Sequence, residues 1–146
     1  MFAVLCLLSS PVIGKCQKVR MHLKSCEMPS NCGSYEICEI CKYEGTPNAT
    51  VRAFWNQSDA VFLPNALVVP VAAFYETNQG EIWSDVVVTI HFDALTEFDN
   101  GLAISGYYYG GTDKYEGITG WLAGAGVPQE GNSASVHGEI CWPDEE

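Results

Sequence analysis

Alternation of apolar and polar residues dominates the chain after residue 50. In residues 81–93, EIWSDVVVTIHFD, the side chains of Val86, Val88, Ile90 and Phe92 fall on one face, and mostly polar residues fall on the other. A period of two is typical of a half-buried β-strand. Turn residues such as Asn-Gln-Gly and Asp-Asn-Gly separate this segment from similar ones. The predicted strands are Val51–Trp55, Ala66–Glu76, Glu81–Asp93, Gly101–Tyr109, Trp121–Ala125 and Ala134–Trp142.

The number of strands and the short turns between them predict an all-β domain, either an antiparallel sandwich or a barrel. A length of 146 residues allows one domain and a small appendage, and a hydrophobic content of 47% is enough to form a core. The appendage is the cysteine-rich stretch before residue 46, in which Gln17–Ser25 is the one helix-like segment. We therefore expect a disulfide-bonded cap over residues 15–45 and a strand-rich body over residues 46–146.

The first fourteen residues, MFAVLCLLSSPVIG, have the character of a secretory signal peptide. They are apolar, too short to span a bilayer, and end in residues that suit cleavage after Gly14. No lysine or arginine precedes the apolar run, so the sequence does not decide whether this is a complete signal or a truncated start. We predict a secreted, extracellular protein with a signal peptide at residues 1–14 and no membrane span.

The cysteine count supports an oxidising compartment. The chain has seven cysteines, and cleavage after Gly14 would remove Cys6 and leave an even number. Five of the remaining six lie within residues 16–41 and cannot all pair among themselves, so Cys141 is predicted to bond back to this cluster. The connectivity stays open. Zinc binding by Cys38 and Cys41 is the alternative, which secretion disfavours. The predicted disulfide cysteines are Cys16, Cys26, Cys32, Cys38, Cys41 and Cys141.

The net charge of the chain excludes one class of partner, and two sequence triplets predict a covalent modification. Six of the seven basic residues lie in residues 1–52, whereas fourteen of the eighteen acidic residues follow residue 52, and the net charge is −11. Such a chain has little material for a cationic face, so we predict no nucleic-acid partner. Asn48 and Asn56 begin Asn-x-Ser/Thr triplets and are predicted glycosylation sites. No pattern indicates a metal or another cofactor.

A glycine-rich segment between two late strands carries the one family resemblance. Residues 98–106, FDNGLAISG, are followed by residues 110–120, GGTDKYEGITG. Over about residues 83–142 the chain resembles the dirigent and allene oxide cyclase families, which share an eight-stranded antiparallel barrel. The resemblance implies a barrel of this type, led here by an N-terminal disulfide-rich segment. We interpret Gly110, Gly111, Gly117 and Gly120 as a structural turn, with Tyr115 able to plug the barrel end.

The resemblance also implies a stereo-directing cyclase, in which dirigent proteins use arginines and aspartates inside the barrel. At the turn positions where many dirigent proteins have arginine, this chain has Glu116 and Thr119, and Lys114 is its one basic residue after Arg52. These departures favour a non-catalytic protein, although the sequence does not decide the point. If the protein is an enzyme, His91 is the first candidate for proton transfer, with His137 and Glu139 as partners.

The function predicted from these observations is that of a secreted, disulfide-bonded glycoprotein barrel. It would bind a small apolar ligand or a glycan, or pack into an extracellular assembly, and a homo-oligomer is compatible with the sequence. Tyr107, Tyr109 and Trp121 are the candidate ligand-binding residues, because aromatic rings bind apolar molecules and sugar faces. The alternatives are the cyclase and a secreted effector or inhibitor that uses the cap as its contact surface. The identity of the ligand is not indicated.

Overall fold

The computed structural model describes residues 13–92, 99–127 and 133–144. These residues form nine β-strands and two short 3₁₀ turns, Gln57–Asp59 and Asp113–Tyr115. No helix among them is long and apolar enough to cross a membrane. Most of the predicted signal peptide lies outside the described residues. The strands are β1 (Ile13–Glu27), β2 (Ile37–Thr46), β3 (Ala49–Trp55), β4 (Val61–Leu63), β5 (Ala66–Thr77), β6 (Gly80–Phe92), β7 (Asp99–Gly111), β8 (Thr119–Val127) and β9 (Ser133–Pro143).

Eight of the nine strands close into a barrel, as the sequence predicted. The order in the sheet is β3-β2-β1-β9-β8-β7-β6-β5-β4, and an additional β3–β5 pairing joins the two sides into a ring. Every pairing is antiparallel. The short strand β4 lies outside the ring and pairs with the beginning of β5. Closure leaves the eight ring strands without a free edge.

The predicted cap over residues 15–45 is wrong, because these residues supply two strands of the barrel. Gln17–Ser25, predicted as the helix-like stretch, belongs to β1. Its side chains alternate: Val19 and Met21 are buried, whereas Lys18 and Arg20 are exposed. A period of two over such a short segment was the signal for a strand. Without β1 the ring could not close, since β1 pairs with β9 on one side and β2 on the other.

The three disulfides confirm the predicted oxidation and the predicted return of Cys141 to the N-terminal cluster. Cys16 of β1 bonds Cys141 of β9 across a sequence separation of 125 residues. Cys26 of β1 bonds Cys41 of β2, and Cys32 bonds Cys38 near the β1–β2 connection. The first two join residues that are direct cross-strand partners. The disulfides therefore fasten β1 to both of its neighbours.

One end of the barrel is filled by side chains, and we call this end the floor. Ile82, Tyr108, Tyr115, Ile118 and Ile140 form it, and each is at most 2% exposed. The glycine-rich segment carries Tyr115 and Ile118 into this core. The Trp142 ring stacks on Tyr115 at 6.0 Å between centroids, and its Nε1 donates a hydrogen bond to the carbonyl oxygen of Lys114 at 2.6 Å. The last strand thus holds the turn in place.

Two positions in this turn show why it requires glycine. Gly117 has a φ of +78°, a conformation that side chains rarely adopt. A Cβ at Gly120 would overlap the carbonyl oxygen of Glu139 on the neighbouring strand. Gly117 therefore meets a requirement of backbone conformation, and Gly120 a requirement of close approach between β8 and β9.

Candidate functional site

Above the floor, the barrel encloses a cavity of about 500 Å³, which we call the lumen. Seven of the eight ring strands, all except β8, contribute described residues to its wall, and most of the lining side chains are apolar. Alanines occupy several positions where larger residues would fill the space. Ala53 and Ala73 are direct cross-strand partners on β3 and β5, and Ala60 and Ala134 also line the cavity. The lumen exists because small side chains stand on the inner face.

Branched side chains form the most regular part of the lumen wall. Val88 on β6 is the cross-strand partner of both Val69 on β5 and Ile104 on β7. Ile90 is likewise paired with Leu67 and Leu102, and all six residues line the cavity. The alternation of residues 86–91 therefore separates an inner face from an outer one. The apolar face turns inward, as expected for a barrel strand.

Glu39 brings a carboxyl group into this apolar space. It lies on β2 opposite Ala53 and lines the lumen. Its Oε1 is 2.8 Å from the Sγ of Cys41, but that sulfur is bonded to Cys26 and has no proton to donate. Burial raises the pKa of Glu39. Among the described residues that line the lumen there is no lysine, arginine or histidine, so this carboxyl lacks a cationic partner there.

Tyrosines supply further polar groups on the wall. Burial raises the pKa of Tyr43 to about 12, and the nearby Glu39 charge contributes to this shift. Tyr75 lines the lumen closer to the floor, where its ring meets that of Tyr108 edge to face at 5.7 Å. Burial raises the pKa of both Tyr75 and Tyr108. The Tyr43 and Tyr75 hydroxyls therefore stay neutral at physiological pH and can hydrogen-bond a ligand in the lumen.

The lumen has the chemistry of a small-molecule site. Ligand pockets typically enclose a few hundred cubic ångströms, with mostly apolar walls and a few polar groups that orient the ligand. Here the walls are mainly valine, leucine, isoleucine and alanine side chains, and Glu39 and Tyr43 are among the polar groups that can orient a ligand. Such an arrangement can take up an apolar molecule and bind one polar end of it.

The residues predicted for acid–base catalysis do not come together. His91 lies near the end of β6, whereas His137 lies on β9, and β7 and β8 separate these strands. Both imidazoles are exposed on the outer face of the barrel. Glu139 follows two residues after His137 on the same strand and also lies outside the lumen. Their place in the alternation directs all three away from the cavity.

The predicted ligand-binding residues Tyr107, Tyr109 and Trp121 also lie on the outer face, at 53%, 45% and 49% exposure. Tyr107 is the cross-strand partner of Trp121, and its ring is 6.3 Å from that of Tyr109. The row continues to Trp83, 6.0 Å from Tyr109, and to His137, 5.7 Å from Trp121. We call these five residues the outer aromatic row. It is a surface feature, separate from the lumen.

Both predicted glycosylation sites lie on the surface side of the fold. Asn48 is exposed in the β2–β3 turn, and its Oδ1 accepts a hydrogen bond from the Gly45 amide at 2.8 Å. Asn56 follows β3 and is half-buried, with its Oδ1 accepting from the Glu36 amide at 2.9 Å. Asn48 is therefore the more accessible acceptor.

The zinc alternative for the cysteine cluster is wrong in this structure. Cys38 and Cys41 belong to different disulfides, so neither offers a thiolate. Two groups of described residues have the proximity of metal ligands, one around Glu39 and one around Glu139. Each contains the two sulfurs of a disulfide, which cannot act as thiolate ligands.

Sequence reasoning missed Glu39 and Tyr43, two polar groups of the lumen. Both lie in the segment that was predicted as a cap. The signal was available in residues 37–43, ICEICKY, where Ile37, Glu39, Cys41 and Tyr43 occupy alternate positions. The acidic residue at 39 and the apolar residues Cys38 and Ile40 on the other face concealed this alternation, because the segment does not separate into an apolar and a polar face.

Comparison of the chain with models of protein families, with curated proteins and with solved structures gave no match. The resemblance to the dirigent and allene oxide cyclase families therefore stays a prediction from the motif at residues 98–120.

Proposed function

We propose that this protein is an extracellular, non-catalytic binding protein whose lumen takes up a small apolar molecule. The observation that carries the proposal is the cavity of about 500 Å³ inside the closed barrel, lined by branched aliphatic side chains. Transfer of an apolar ligand from water into such a space is favourable by about 25 cal/mol per Å² of surface buried. The walls require little reorganisation because the ring of strands and three disulfides hold them.

Secretion and glycosylation are part of the proposal. Three disulfides in a chain of 146 residues are typical of proteins that fold in an oxidising compartment. The exposed position of Asn48 supports modification at this sequon. Expression in a secreting eukaryotic cell, followed by intact-mass measurement with and without glycosidase treatment, tests both points. A protein retained in the cell, or secreted without glycan mass, would contradict them.

The binding proposal is tested with N-phenyl-1-naphthylamine, a neutral apolar dye whose fluorescence rises in apolar surroundings. We expect saturable binding to the native protein. Ala73→Phe and Ala53→Phe place a ring in the lumen and should each abolish the signal. The matched control is Ala103→Phe, which adds the same ring at an exposed position of β7. Circular dichroism confirms that each variant is folded.

Loss of dye binding in the two lumen variants, with binding retained in the control, is the result we expect. If the dye binds equally well when the lumen is filled, its site lies elsewhere and the proposal fails. The same holds if the native protein does not bind the dye.

The outer aromatic row favours a glycan as a second candidate ligand. Sugar rings stack on aromatic faces, and Asp85, which accepts a hydrogen bond from the Tyr107 hydroxyl at 3.3 Å, can bind sugar hydroxyls. A groove along this face is lined by Tyr35, Asp85 and Tyr107. A glycan array compares the native protein with Trp121→Ala. Glycan binding that Trp121→Ala abolishes would support this candidate, and an array without signal would remove it.

A further inference from the structure

Among the described residues that line the lumen, the one carboxyl group has no cation to neutralise it. Glu39 lines the cavity, and the described lining residues include no lysine, arginine or histidine. The lysine and arginine side chains of the adjacent strand β1, Lys15, Lys18, Arg20 and Lys24, are exposed and lie outside the lumen. A carboxylate removed from water is costly unless it gains a charged or hydrogen-bonding partner. The lumen therefore favours a ligand that supplies that partner.

Aromatic groups and the charge of the whole chain point to the same kind of partner. Trp55 and Tyr43 share the cavity with Glu39. The faces of such rings attract cations, most strongly where water is excluded. The chain has a net charge of −11, so its field concentrates cations and repels anions near the barrel.

Resting on the proposed function, we propose that the ligand of the lumen is an apolar amine. Its ammonium group pairs with the Glu39 carboxylate, and its hydrocarbon body packs against the valine and isoleucine wall formed by Val69, Val88 and Ile104. A fatty acid of the same length would meet the charge of Glu39 with a like charge. An alcohol would leave that charge without a counter-ion.

Three ligands of equal chain length separate these cases: octylamine, 1-octanol and octanoate. Each displaces N-phenyl-1-naphthylamine from the lumen in competition titrations at pH 7. In the native protein we expect octylamine to bind about 10- to 100-fold more tightly than 1-octanol, as for a charge-assisted hydrogen bond. Octanoate should bind most weakly.

The variant Glu39→Gln keeps the size of the side chain and removes its charge. We expect it to abolish the preference for octylamine and to leave 1-octanol within about 3-fold of its native affinity. Glu116→Gln is the matched control, because it removes one charge from an exposed residue of the floor turn. It should preserve the preference, which would exclude an effect of net charge alone.

The outcomes are distinct from those that test the proposed function. If the dye binds the lumen but octylamine and 1-octanol compete equally, or octanoate competes best, the amine proposal is wrong and the apolar lumen remains. A preference for octylamine that persists in Glu39→Gln would overturn the assignment to Glu39. Should Glu39→Gln fail to fold, the order of the three ligands on the native protein decides the proposal.

Discussion

The floor and the lumen are two halves of one barrel, built from the same strands with opposite packing. At the floor, Ile118 and Ile140 are 0% exposed and pack against tyrosine rings. Further along the same ring, Val88 and Ile104 are half-buried and face a cavity. Side chains are closely packed at the floor, whereas small alanine side chains on the inner face leave a cavity in the lumen. Under the proposed function, the floor end of these strands stabilises the fold and the lumen end binds the ligand.

Removal of a disulfide beside the floor has the largest expected effect on stability. Cys16–Cys141 lies beside the floor, where Cys141 pairs with Thr119, and it closes a loop of about 125 residues. Replacing both cysteines with alanine should lower the free energy of unfolding by about 2–5 kcal/mol. The matched variant without Cys32–Cys38, separated by six residues, should lose about 2–3 kcal/mol less, because its loop is short.

Urea unfolding of the two double variants measures this difference. Alkylation followed by intact-mass analysis should find no free thiol among the six bonded cysteines of the folded protein. Equal losses in the two variants would show that the long loop is not the source of the effect. Free thiols on the folded protein would contradict the disulfide assignment itself.

Truncation of one isoleucine at each end compares the packing directly. Ile140→Ala should cost about 2–5 kcal/mol, because the floor cannot refill the space. Ile104→Ala should cost about 1–2 kcal/mol less, since its side chain already borders the lumen and has fewer contacts to lose. Thermal unfolding followed by circular dichroism gives both values. If Ile104→Ala proved the more costly substitution, the lumen wall would be packed as closely as the floor.

Substitutions in the glycine-rich turn should have a smaller effect on stability, and they test the floor alone. Gly120→Val should destabilise by about 1–3 kcal/mol, because its side chain would collide with the Glu139 carbonyl group. The neighbouring Glu116→Ala changes an exposed residue and should stay within about 0.5 kcal/mol. The melting temperatures of the two variants measure the difference. Identical melting temperatures would mean that the motif has no structural role at this position.

The smallest expected effect is a change in how the free energy of unfolding depends on pH, caused by titratable groups that line the lumen. Burial raises the pKa of Tyr43 to about 12, so the folded state keeps its proton when the unfolded chain has lost it. Stability from this group is fully present below pH 10, the ordinary pKa of tyrosine, and is lost as the pH rises to about 12. Tyr43→Phe should therefore flatten the fall of the free energy of unfolding over this interval. An unchanged slope would show that Tyr43 is not the group responsible.

Glu39 shows the same sign as Tyr43, at lower pH. Burial raises its pKa, so the charged form destabilises the folded state, and stability falls as the pH rises through that pKa. In the absence of ligand, Glu39→Gln should raise the melting temperature at pH 7 by no more than about 3 °C. A stabilising substitution that removes ligand selectivity is the pattern expected of a residue retained for binding. A lower melting temperature would instead assign Glu39 a structural role.

The sequence by itself determined the fold class and much of the covalent framework. Residues 81–93 alternate over a length that leaves no ambiguity between strand and helix, and the structure places Val86, Val88 and Ile90 on the inner face. Parity of the cysteines after residue 14 was enough to predict the bond from Cys141 to the front of the chain, though not its partner. These inferences depend on local periodicity and on the number of cysteines, and both can be obtained from the sequence without a structure.

The tertiary structure alone decided where the site lies. Alternation assigns residues to two faces of a strand, but it does not say which face encloses a cavity, because that depends on ring closure through β1–β9 and β3–β5. His91 and Tyr107 were plausible site residues until closure placed them outside. The same closure places Glu39 and Ala53 on the wall of the lumen. The volume of a lumen depends on the sizes of side chains that face each other across the barrel. These side chains come from distant parts of the chain, so no local sequence pattern predicts the volume.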